Sequence, residues 1–340
     1  MGLEIFAILG FCLAAYSIMA NDAIQTIGTF ISSNSKRPWW LLWAYSGSIV
    51  IAVMLYGFYT GGGDIAYGRL NRIPFPENGI QWWHVVPPFV LILLTRYAIP
   101  VSTTFLVLTL FAISGGAATE GLLGKLLLKS GLGYVVAFVS AGFFYLAVSK
   151  SFENYIERHK DQPLNPLWYV AQWASTAFLW SQWLMQDLAN IFVYMPRTTE
   201  VINGQTQVTF SAPILFGTTA IMVGLLGYIF WRGGGEIQKI VRRKVHTTDV
   251  RAGTVIDLIF GIILFLFKEV SDIPMSTTWV FLGLLAGREL AIASMTELRE
   301  RKQALTDVGS DMGRAFFGLV VSIAIAVALP WIATGNMPSF

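Results

Sequence analysis

The chain has 340 residues, of which 55% are hydrophobic and 13% charged, with a mean hydropathy of +0.60. A soluble domain carries about 25% charged residues, so the composition excludes one and describes an integral membrane protein. A single cysteine, Cys12, excludes an internal disulfide framework, and three scattered histidines, His84, His159 and His246, have no metal-ligand spacing. The net charge of +3 is small and gives no reason to expect nucleic acid as a partner. No nucleophile–base constellation points to an enzyme, and no motif calls for a resident cofactor.

Apolar runs of about 16 to 22 residues recur from the N-terminus onward. Spans are predicted at 3–20, 38–58, 84–99, 101–115, 131–149, 166–186, 211–231, 252–267, 274–296 and 314–334. The fold class expected is therefore all-α and polytopic, with about ten spans. The N-terminus lacks the basic n-region and cleavage site of a signal peptide, so the first run is expected to stay as a span. Segments that meet at Pro100 and Pro274 are short enough to be broken or re-entrant helices.

Basic residues give the orientation. The connection 232–251 carries Arg232, Lys239, Arg242, Arg243, Lys244 and Arg251. With that connection cytoplasmic, alternation places 17 Lys and Arg on the cytoplasmic side and 6 outside. Both termini then lie outside, in a cell-membrane protein.

Three landmarks occur twice in the same order. MANDAIQT (19–26) matches MQDLANIF (185–192), GGGDIAYGRL (61–70) matches GGGEIQKIVR (233–242), and IPVSTTF (99–105) matches IPMSTTW (273–279). The first repeat is expected over 1–149 and the second over 166–340, joined by a cytoplasmic connection at 150–165. Five spans per repeat force the second to enter the membrane from the opposite side, which gives the inverted-topology repeats of secondary transporters.

The residue types at these landmarks suggest an anion and a cation. A proline that interrupts a helix lets the next residues open a new one, whose first turn has unpaired N–H groups and a positive dipole end. Ser102, Thr103 and Thr104, and likewise Ser276, Thr277 and Thr278, then form a neutral cradle for a tetrahedral oxyanion. A single Ser-Thr-Thr commonly does no more than bond back to a helix carbonyl, but two copies behind Ile-Pro-x weaken that reading. Asp22 and Asp187 are costly in a membrane unless they are paired or line a wet cavity. Beside an anion they need a cation between, either sodium or a proton. The GGGD and GGGE segments read as turns. Asp257 reads equally as a further ion site or a paired structural group. Arg96 reads as a snorkelling or structural residue.

These motifs resemble the inorganic phosphate transporter (PiT) family, which carries G-A-N-D-V-A-N-A in each half followed by P-V-S-T-T. The resemblance covers essentially the whole chain. It implies a sodium- or proton-coupled symporter for inorganic phosphate, often a homodimer. Carried onto this chain, it puts Asn21, Asp22, Asp187 and Asn190 at the cation and the two Ser-Thr-Thr runs at the anion. Gln25 and Gln186 replace an asparagine in each half and are placed with the substrate-binding set. Phe105 and Trp279 stand where a histidine commonly follows the motif. These departures keep sulfate or another small oxyanion open as the substrate, and a passive anion channel remains the alternative of a different class.

Overall fold

A computed structural model describes residues 5–114, 121–159, 161–202, 204–242, 248–270 and 275–335. Helix α1 (Ile5–Ile18) continues through a π-helical turn, Met19–Ala23, into α2 (Ile24–Ser33). The result is one rod of 29 residues, about 43 Å at 1.5 Å per residue. The span expected to stop at residue 20 therefore runs on to Ser33, and Asn21 and Asp22 lie mid-rod. The polar pair continues the helix because its side chains find partners across the bundle. We call the Ile5 end of this rod the upper end and the Ser33 end the lower.

From the lower end α3 (Trp39–Thr60) climbs back, and α4 (Val86–Arg96) starts again at the upper end, where Tyr194 Oη donates to the His84 carbonyl. Eleven residues rise about 16 Å, half of a ~30 Å hydrocarbon core. Pro100 and the left-handed backbone of Ala98 (φ 52°) then turn the chain in mid-bundle. A second π-helical turn, Thr104–Leu108, leads into α5 (Thr109–Ser114), and Phe111 returns beside His84 with ring centroids 4.9 Å apart. The two spans expected at 84–99 and 101–115 are thus the arms of one hairpin that enters and leaves at the upper end.

Helix α6 (Leu122–Arg158) is followed by α7 (Pro166–Phe192), which Asn165 caps by accepting from the Leu167 N–H at 3.0 Å. Helix α7 extends past the expected boundary at 186, and its polar residues Gln172, Thr176, Gln186, Asp187 and Asn190 are all buried. Its low hydropathy reflects a place inside the bundle, away from lipid. A short hairpin, β1 (Thr198–Ile202) and β2 (Gln205–Thr209), adds an antiparallel pair to the otherwise helical fold at the upper end. The Phe210 N–H donates to the Gly63 carbonyl at 2.9 Å, so α8 (Ala212–Trp231) starts beside the end of α3 and descends.

Below it, α9 (Gln238–Arg242) docks on α2, because Gln238 Nε2 donates to Gly28 O and Ser32 Oγ, both at 2.7 Å. Helix α10 (Val250–Val270) begins at the lower end, and α11 (Thr277–Met295) returns there. Pro274, expected to break the chain between them, lies outside the described residues. Gly283 and Gly287 let α11 press against α6, since a Cβ at either would fall on the carbonyl of Tyr134 or Phe138. Helix α12 (Arg301–Thr334) climbs the full bundle. Among the described residues, seven helical segments are long and apolar enough to cross a membrane: Ile5–Ser33, Trp39–Thr60, Gly124–Val148, Ala212–Trp231, Val250–Glu269, Thr277–Met295 and Arg301–Thr334.

Candidate functional site

The π-helical turn Met19–Ala23 widens the backbone where Asn21 and Asp22 face the bundle interior. Asn21 Nδ2 donates to Asp22 Oδ1 and to the carbonyl of Val101, each at 2.6 Å. Thr103 Oγ1 donates to Asp22 Oδ2 at 2.6 Å, and Thr278 Oγ1 donates to Asp22 Oδ1 at 3.1 Å. Gln25 Nε2 reaches Asp22 Oδ1 at 3.3 Å. One carboxylate therefore joins the mid-bundle turn after α4 to the start of α11.

On α7, Asn190 Nδ2 donates to Asp187 Oδ1 at 2.7 Å and to Thr103 Oγ1 at 2.8 Å. Thr277 lies beside Asp187, and Thr104 Oγ1 donates to the Met275 carbonyl at 3.1 Å. Gln186 Nε2 turns away to the Leu264 carbonyl at 3.1 Å. Ser276 caps α11 by accepting from the Trp279 N–H at 3.2 Å, and Ser102 accepts from the Phe105 N–H at 3.4 Å. Every site residue named from sequence is at most 3% exposed. The structure brings Asn21, Asp22, Gln25, Thr103, Thr104, Asp187, Asn190 and Thr278 into one hydrogen-bonded cluster, with Thr277 beside Asp187. Ser102, Ser276 and Gln186 flank it without a side-chain bond to either aspartate.

The amide nitrogens of Asn21, Gln25, Gln186 and Asn190 all face acceptors, which turns their oxygens the other way. Asn21 Oδ1, Gln25 Oε1, Gln186 Oε1, Asn190 Oδ1 and Asp187 Oδ2 are buried without a hydrogen-bond donor. Four unpartnered amide oxygens, with two carboxylates within electrostatic reach of one another, form a strongly electronegative site. Such a donor set suits a hard cation.

Three further features bear on the site. Arg69, 2% exposed in the GGGDIAYGRL segment, lies within electrostatic reach of Asp187, so the segment does more than the turn expected of it. The turn reading holds for its first residues: Asp64 accepts from the backbone N–H groups of Ala66 and Gly68 at 2.7 and 2.5 Å. Asp257 is removed from the cluster. Its oxygens accept from Thr29 at 2.5 Å and Thr176 at 2.6 Å, tying α10 to α2 and α7. At the lower end Arg288, fully buried in α11, pairs with Glu153 at 3.1 Å and Glu289 at 2.9 Å. Charges inside an apolar run were the available signal for this network.

No protein-family profile and no curated protein sequence matches the chain. Among solved structures it superposes on one described as "The sodium-dependent phosphate transporter", with a TM-score of 0.60 and 14% identity. The superposition covers 98% of this chain and 99% of the other. The chain therefore has, over its whole length, the fold of a sodium-dependent phosphate transporter.

Proposed function

We propose that this chain is a cation-coupled symporter that imports inorganic phosphate across the cytoplasmic membrane by alternating access. The observation that carries this reading is the set of five buried acceptor oxygens without donors, four on amides around Asp22 and Asp187 and one on Asp187 itself. Leaving each without a donor costs about 1–3 kcal/mol. A dehydrated sodium ion would satisfy several at once and screen both carboxylates from a neighbouring oxyanion. A proton would neutralise one carboxylate, so either ion couples the two. On this reading the oxygens of Gln25 and Gln186 belong with Asn21, Asp22, Asp187 and Asn190 on the cation side. The hydroxyls at 102–104 and 276–278 are left for the anion.

Coupling follows from shared lone pairs. Thr103 and Thr278 give their hydroxyl protons to Asp22. A cation on Asp22 takes the same oxygens and turns both donors toward the oxyanion. Each ligand then raises the affinity of the other, as linkage requires. Phosphate is preferred over sulfate because its monohydrogen form brings a hydrogen-bond donor to these acceptor-rich surroundings, which sulfate cannot.

The inverted arrangement of 1–149 and 166–340 around the connection 150–165 belongs to the same proposal. It is supported by the hairpin 86–114 entering from the upper end, the α10–α11 pair from the lower end, and their meeting at Asp22. The lower end, with Lys36, Arg37, Arg158, Arg232 and Lys239, is assigned to the cytoplasm, which leaves both termini outside; the assembly is a homodimer. Purified protein in liposomes tests the reading through uptake of labelled phosphate with and without inward sodium or proton gradients. Uptake that survives removal of every cation gradient makes the chain a passive channel and overturns the proposal.

A further inference from the structure

Arg96 and Arg232, both exposed, line one open cavity of about 450 Å3 bordered by α1, the ends of α4 and α8, and the turn that follows Gly233. Its wall reaches Ala20, the residue before Asn21. Neither guanidinium has a carboxylate partner among the described residues, whereas Glu236 in the same wall is ion-paired with Lys239. A third lining residue, Thr95, is 8% exposed, and its Oγ1 has no hydrogen-bond partner. A helical threonine normally returns its hydroxyl one turn back, as Thr219 does to Leu215 and Thr254 to Val250. Thr95 does not. Two exposed arginines without a carboxylate partner on one cavity wall are suited to an oxyanion.

We propose that this cavity is a second oxyanion site, in which Arg96 and Arg232 hold a phosphate group. It is separate from the cradle at Asp22, which contains no arginine or lysine among its direct partners. A cavity of about 500 Å3 at the upper end is built from the corresponding pieces: the end of α3, the turn at Gly61–Asp64 and the end of α10. Its lysine, Lys268, pairs with Glu269 at 3.2 Å, so the uncompensated positive charge belongs to the lower cavity alone of the two. The role of this cavity as the inner mouth of a transport path rests on the transport reading. The binding site itself does not.

The same chemistry is offered by free phosphate and by an anionic lipid headgroup, and one experiment separates them. Full-length wild type, Arg96→Gln/Arg232→Gln and Ser102→Ala/Thr278→Ala are placed in nanodiscs of phosphatidylcholine alone, and binding of labelled inorganic phosphate is measured. In parallel, phosphatidylglycerol retained by each protein is counted by native mass spectrometry. The expected result is a class of bound phosphate that survives in Ser102→Ala/Thr278→Ala and weakens at least tenfold in Arg96→Gln/Arg232→Gln. Loss of retained phosphatidylglycerol in the arginine variant, without a second phosphate class, also supports the site and names lipid as its source. Phosphate binding and lipid retention both equal to wild type in the arginine variant overturn the proposal. Phenylglyoxal labelling of Arg96 and Arg232 in the wild type gives the same answer without a substitution. Protection by neither phosphate nor phosphatidylglycerol overturns the site. Failure of the central reading shows separately, as no difference between wild type and Ser102→Ala/Thr278→Ala.

Discussion

The hydroxyl of Thr103 donates to Oδ2 of Asp22 at 2.6 Å, across 81 residues of chain. That bond, with the one from Thr278 to the other oxygen, makes Asp22 the point where both Ser-Thr-Thr runs are read by one carboxylate. Asp22→Asn removes the charge and presents an N–H2 to at least one hydroxyl that now donates. A hydrogen bond to a charged group is worth about 1.5–3 kcal/mol, so cation-driven phosphate uptake is expected to fall on the order of 10- to 100-fold. Uptake in proteoliposomes checks this, and a variant that still responds to the cation gradient like wild type removes Asp22 from the coupling site.

Thr103→Val keeps the shape of the side chain and deletes the donor shared between Asp22 and the anion. Thr103→Ser keeps the donor and deletes a methyl. The valine variant is expected to raise the half-saturating phosphate concentration about tenfold, by the ~1.4 kcal/mol of one net hydrogen bond, and the serine variant to stay near wild type. Equal losses in both variants would mean that Thr103 acts by packing.

Much of this buried cluster was legible in the sequence, because the same residue types recur at matching positions. Asp22 and Asp187 identified each other through their matching positions, and the two Ser-Thr-Thr runs did the same. Apolar length also gave the seven long helices. At 84–99 and 101–115 apolar length alone counts two spans, and it was Pro100 that marked them as the broken or re-entrant pair the structure shows. Apolar length misjudged the ends of the first span and of α7, since a buried polar residue continues a helix only if a distant partner such as the Val101 carbonyl meets it. Neither Arg69 near Asp187 nor the Arg288–Glu153 pair has a counterpart in the repeat that would have exposed it.

Asp257 tests the line between structure and transport. Both its oxygens take a hydroxyl, from Thr29 and Thr176, and those threonines stand on α2 and α7. A satisfied carboxylate that ties three helices together is a structural clasp. Asp257→Asn is expected to lower stability by about 1–3 kcal/mol and to leave the cation-to-phosphate stoichiometry unchanged. Thermal unfolding and flux ratios report the two effects separately, and an altered stoichiometry at unchanged stability would make Asp257 an ion site.

The approach of α11 to α6 gives a purely steric prediction. A Cβ at Gly287 would collide with the Phe138 carbonyl, a backbone atom that cannot swing aside. Gly287→Ala is therefore expected to destabilise the fold by about 1–3 kcal/mol or more, while Gly217→Ala on α8, with nothing within 4 Å of its Cβ, is neutral. Equal melting temperatures for the two variants would show that α6 and α11 do not pack this closely.

Gln25 and Gln186 separate the two assignments of the central site. Each amide nitrogen is committed, to Asp22 and to the Leu264 carbonyl, and each oxygen is unpartnered. In Gln25→Asn/Gln186→Asn each side chain is one methylene shorter, which withdraws the oxygen by about 1.5 Å. Oxygens that ligate the cation make this change raise the half-saturating coupling cation about tenfold and leave the phosphate-to-sulfate preference alone. Oxygens that face the oxyanion make it change that preference and spare the cation. The geometry favours the first outcome, because an acceptor without a donor attracts a cation and repels an oxyanion. Uptake titrated against sodium at fixed phosphate, and again with sulfate as competitor, distinguishes them, and a shift confined to sulfate competition returns both glutamines to the substrate side.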